Sequence, residues 1–198
     1  MLSYNESLKI LKETNAIIEG HFILSSGLHS RQYVQCAKLL SHPKQAKIIC
    51  ASLSEKIKNN FNKIDIVLSP AIGGIVVGYE IGKQLNIQTI FAEREDGKLL
   101  LRRGFVIPQN FNVLIVEDVI TTGKSALECS KIVKINKANL VGFSCIIDRS
   151  DNNVLIKEKI VSQIKINIAV FKENELPDKL KKIPAIKPGS RNLSDDQN

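Results

Sequence analysis

The stretch Val113-Leu-Ile-Val-Glu117-Asp118-Val119-Ile120-Thr121-Thr122-Gly123-Lys124-Ser125 constrains the fold more than any other part of the chain. Four apolar β-formers run into two adjacent carboxylates, then a hydroxyl-rich loop, then the helix-forming Ala126-Leu127-Glu128. A strand that ends in a short glycine-containing loop and opens a helix is a ready phosphate site. The loop N–H groups and the positive end of the helix dipole both face the anion. Two acids beside a phosphate would repel it unless they hold something else, such as sugar hydroxyls or a metal. Phosphate plus polyol is a sugar phosphate. The end of a nucleotide P-loop is excluded by spacing, because Asp118 stands where that motif needs its first glycine. Taken piecemeal, the same residues could be two solvated acids and an ordinary threonine cap.

The rest of the chain alternates strand and helix. Residues 3–18 read as an amphipathic helix with Leu8, Leu11 and Ile18 on one face. A strand from Gly20 enters a Ser/Gly turn, and a short strand follows near Gln32–Gln35. Ser41 is placed to cap a helix running to about Asn59, with Pro43 in its first turn. Ile64–Ser69 is a buried strand, Gly74–Leu85 a helix and Gln88–Ala92 the next strand. A charged segment, Glu93–Gly104, precedes strand 113–117, helix 124–135 and strand 139–147. Buried strands alternating with helices imply an α/β fold, a mostly parallel sheet flanked by helices. At 198 residues the chain has room for one well-filled core. The last residues, 192–198, read as a disordered tail.

Composition excludes more than it assigns. No apolar run approaches the ~20 residues that span a bilayer, and the N-terminus lacks the regions of a signal peptide. A cytoplasmic protein with no membrane partner is expected. Cys36, Cys50, Cys129 and Cys145 show no metal or redox spacing and read as reduced core thiols. The net charge of +8 comes from 22 scattered lysines, which argues against a nucleic-acid face. Arginines number only 6, yet Arg94, Arg102, Arg103 and Arg149 fall in candidate site segments. Their planar fork suits phosphate and carboxylate.

The 113–125 pattern resembles the phosphoribosyl-diphosphate (PRPP) signature of type I phosphoribosyltransferases. That resemblance implies that Glu117 and Asp118 hold the ribose hydroxyls, while Val119, Ile120, Thr121, Thr122, Gly123, Lys124 and Ser125 surround the 5-phosphate. The loop Ser69-Pro70-Ala71-Ile72-Gly73-Gly74 lies between a buried strand and a helix, at the edge where open α/β sheets bind ligands. In the family it grips the diphosphate, which makes Ala71, Ile72 and Gly73 PRPP ligands. Many members carry lysine at the position of Gly73, so backbone amides have more to do here.

Residues 91–105 resemble the catalytic loop of orotate phosphoribosyltransferases, which implies catalytic roles for Arg94, Lys98, Arg102 and Arg103. Glu95 stands where a second lysine is common, and the usual nearby histidine is absent. Standing alone, this segment would read as a solvated hairpin. The same resemblance places orotate against Ser25, Ser26 and Gly27, against Thr121, and against Arg149 at the end of Ile146-Ile147-Asp148-Arg149. It implies a single domain over residues 1–191, with residues 1–40 and a C-terminal part forming a small hood. It further implies Mg²⁺ held mainly by PRPP rather than by protein side chains, and a homodimer that shares loop 94–103 in trans. The alternatives are a phosphoribosyltransferase for another base and a non-catalytic PRPP-sensing regulator. The Ser-Ser-Gly segment and Arg149 favour orotate.

Overall fold

The computed structural model describes residues 1–24, 26–150 and 154–188. Its centre is a six-stranded sheet in the order β5-β4-β3-β6-β7-β8. The strands are β3 (Ile66–Pro70), β4 (Gln88–Glu95), β5 (Lys98–Leu101), β6 (Asn112–Ile120), β7 (Asn139–Asp148) and β8 (Ile160–Lys165). All neighbours pair in parallel except β5, which returns antiparallel along β4. The expected mostly parallel α/β sheet is therefore present, with its one antiparallel strand at an edge.

Each strand face has its own core. Leu114, Val116 and Val67 pack with helices α3 (Pro43–Asn60) and α4 (Gly73–Leu85). Val113, Ile115 and Ile90 pack with α5 (Lys124–Ile135). Burial on both faces explains why these strands read as continuous apolar runs. A second, three-stranded antiparallel sheet is built from β1 (Ile17–Ile23), β2 (His29–Val34) and the short β9 (Val170–Phe171).

Several boundaries differ from the expectation. Helix α1 covers Tyr4–Glu13 only, opened by a reciprocal Ser3–Glu6 capping box. Asn15 then adopts φ 54°, which stops the helix and sends Ile17 and Ile18 into β1. The 3.6-residue spacing of Ile18 was coincidental. Ser41 does not cap α3. It ends a short helix, α2 (Cys36–Leu40), and its hydroxyl donates to the Lys38 carbonyl. Residues 93–104 contain the hairpin that the segment suggests when read alone: β4 and β5 turn around Asp96 (φ 47°) and Gly97 (φ 79°), both left-handed, as tight hairpins favour. Strand β8 was not foreseen.

Candidate active site

Strand order places the site. From the adjacent β3 and β6, the chain crosses over one sheet face to β4 and over the opposite face to β7, so the carboxyl ends of β3 and β6 border a topological switch point. Two loops flank that crevice: Ala71–Ile72 before α4, and Thr121–Gly123 before α5. They meet across it. A Cβ built on Gly73 would lie 3.0 Å from both carboxylate oxygens of Asp118. The Gly73 position and the acid pair, far apart in sequence, therefore line one concavity. The Ala71–Ile72 peptide is cis, and Ile72 is exposed.

The acids are held in an unusual state. Alternation along β6 sends Glu117 toward the α5 side and Asp118 toward the α4 side. Glu117 is buried, and its Oε1 has no hydrogen-bond partner among the described residues. Burial, with Asp118 beside it, pushes the Glu117 carboxyl up to about 8. Burial raises Asp118 as well, although the Val119 amide donates to its Oδ1 at 2.9 Å and opposes the rise. Two desolvated carboxyl groups with spare acceptors suit hydroxyl donors or a cation arriving together with an anion.

The loop after β6 has the form a phosphate cradle needs. Gly123 caps α5 in the left-handed region (φ 78°), Thr121 and Thr122 are exposed, and Ser125 is in the first turn. Arg149 reaches this loop through its backbone, whose N–H donates to the Ile120 carbonyl at 2.8 Å. Its guanidinium is half-buried, Nε has no partner among the described residues, and burial lowers its pKa. An arginine so placed favours a carboxylate ligand.

The cations of the 91–105 segment are distributed differently from a lid aimed at the crevice. Arg94 pairs with Glu128 of α5 at 2.9 Å, Arg102 with Glu95 at 3.4 Å, and Arg103 forms a forked bond to Glu93 at 2.8 and 2.9 Å while lying over Phe91. Leu99 is buried and Leu101 packs against the same cluster, so the hairpin is anchored by apolar side chains to its own subunit. Lys98 is exposed at the turn. Ser26 and Gly27 form the tip between β1 and β2; Ser25 lies outside the described residues.

Three neighbours of the site went unnoticed in the sequence. Ile156 packs over Gly123, leaving no room for a Cβ there (2.6 Å). The Cys36 thiol approaches the Asp118 carbonyl at 3.7 Å. Tyr33 packs against Phe22 with ring centroids 5.7 Å apart and lies near Arg149. None carries a local motif; only tertiary packing reveals them.

An open, mostly parallel sheet with a glycine loop and paired acids at its switch point is the architecture of a ligand-binding α/β protein. Residues 37–178 match the family described as phosphoribosyl transferase domain. Orotate phosphoribosyltransferase of Caldicellulosiruptor saccharolyticus is 45% identical over 94% of this chain and 96% of its own length. That of Caldicellulosiruptor bescii is 45% identical over 93% and 96%. Among solved structures, orotate phosphoribosyltransferase from Aeropyrum pernix superposes with a TM-score of 0.69 at 22% identity, covering 80% of this chain and 92% of that one. The chain belongs to the orotate phosphoribosyltransferases of the phosphoribosyl transferase family.

Proposed function

We propose that this protein transfers the phosphoribosyl group of PRPP to orotate, giving orotidine 5-monophosphate and diphosphate, a step of pyrimidine synthesis. The observation that carries the reading is the Gly73–Asp118 approach, which joins a diphosphate-type loop to an acid pair one turn from a phosphate-type loop. In this reading Glu117 and Asp118 accept from the ribose hydroxyls, residues 119–125 surround the 5-phosphate, and the Ala71–Gly73 backbone meets the diphosphate. Arg149 takes the orotate carboxylate, with Thr121, Ser26 and Gly27 nearby.

Orotate N1 attacks the anomeric carbon as the C–O bond to diphosphate breaks, and the electron pair leaves with diphosphate. Positive charge builds on the ribose and negative charge on the leaving group, as in glycoside hydrolysis. Preorganised donors aimed at the diphosphate are each worth ~3 kcal/mol. The proton on orotate N1 is lost to solvent, and no residue is assigned as general base. Mg²⁺ would be carried in and held mainly by PRPP, and would neutralise charge on the diphosphate.

A homodimer in the cytoplasm belongs to the same reading. Ile72, at the N-cap of α4, and Val76 and Tyr79 on the helix are exposed apolar residues at helical spacing, and Leu100 of the hairpin is exposed as well. A two-fold partner covering those residues would bring the Lys98 turn toward a second site, and Arg94, Arg102 and Arg103 would have to exchange their carboxylate partners for diphosphate. The test of the base assignment is Arg149→Ala. It should raise the KM for orotate far more than that for PRPP, a loss of about 2–5 kcal/mol in orotate recognition. Wild-type turnover of uracil as readily as orotate would refute the carboxylate role.

A further inference from the structure

His21 and His29 are buried on neighbouring strands, with His21 Nε2 and His29 Nδ1 only 2.6 Å apart. His21 Nδ1 lies 2.8 Å from the Ile183 carbonyl. A carbonyl can only accept, so His21 carries its proton on Nδ1. In the neutral pair its Nε2 then accepts from His29 Nδ1–H, which fixes both tautomers.

The C-terminal segment meets β1 at the same place. The Ile186 N–H donates to the His21 carbonyl and the Ile23 N–H donates to the Ile186 carbonyl, both at 2.8 Å, so Ile183–Ile186 runs as a strap along β1. The histidine pair stands at the last rung of the β1–β2 hairpin, where Ile23 faces His29. Directly beyond it are Ser26 and Gly27. On the other side, Phe22 packs against Tyr33, which lies near Arg149.

We infer that the His21–His29 pair is a latch whose two residues are positioning residues for the base. It locks the strap to the hairpin and so fixes the tip and Tyr33 relative to Arg149, without touching substrate. This inference rests on the orotate reading of the same site. Removing one ring would leave the other with an unpartnered buried nitrogen, a cost the hairpin relieves by shifting. The acid pair and the Gly73 loop sit on the central sheet, so PRPP contacts should not follow.

The test compares His29→Leu, His29→Asn, whose amide can still donate toward His21, and Ile186→Pro, which removes the strap's donor at an exposed position. His29→Leu and Ile186→Pro should each raise the orotate KM about tenfold and leave the PRPP KM within about twofold, while His29→Asn stays near wild type. Amide exchange at Ile23 should quicken in His29→Leu and not in His29→Asn. An unchanged orotate KM, or both KM values rising together, would overturn the positioning role. Unchanged exchange would overturn the latch. Failure of the wild-type protein to use orotate would instead overturn the substrate reading, and the exchange measurement still decides the latch because it needs no substrate.

Discussion

Glu117 combines burial, an unpartnered oxygen and a neighbouring acid, and its carboxyl is pushed up to about 8. Its folded-state pKa lies above the unfolded one, so the sign is clear. The stability linked to this group is fully present below the ordinary carboxylate range and is lost as pH rises toward 8. Glu117→Gln should therefore stabilise the ligand-free protein at pH 8, on the order of a few kcal/mol, and change little near pH 4. Thermal unfolding at the two pH values checks this; equal effects at both would contradict it. Hydroxyl donors or a cation favour the ionised form, so PRPP binding near pH 7 should release a proton, visible by calorimetry in buffers of different ionisation enthalpy. The sequence made Glu117 and Asp118 legible because a carboxylate pair ending an apolar strand is rare chemistry in one short window. It could not reveal which helix each acid faces, or that Glu117 Oε1 is buried without a partner among the described residues.

Among elements, the loop into α5 was the most legible and the 93–104 segment the least. Gly123 was identified by its neighbours in the motif, and the structure adds why it must be glycine: φ 78° with Ile156 2.6 Å from a built Cβ. Gly123→Ala should cost about 1–3 kcal/mol through strain and overpacking, and should raise the PRPP KM. Denaturant unfolding and steady-state kinetics check both, and a fully stable variant would contradict the packing account. The charged segment misled because opposite charges within it, and Glu128 on another element, satisfy its arginines in the folded chain. Pairing across thirty-four positions leaves no local signal. Likewise, Ile18 fitted a helical period while the left-handed Asn15 had already turned the chain into a strand.

For the whole molecule, alternating strands and helices announced a parallel sheet, and strand order then brought two distant loops to one crevice. The order itself was not readable from periodicity. The proposed dimer adds a prediction at this scale. One dead variant carries Lys98, Arg102 and Arg103 all changed to Ala; the other carries Asp118→Asn. If the hairpin serves the partner's site, subunit exchange should restore part of the activity, because each mixed dimer regains one intact site. Confirmed exchange without recovery would mean that each hairpin serves its own subunit. The central claim is tested most directly by following orotate absorbance after mixing the wild-type protein with PRPP and Mg²⁺. The account predicts that absorbance falls as orotidine 5-monophosphate forms, and that it does so only when PRPP is present. Unchanged absorbance at high enzyme concentration, with the protein folded, would contradict it.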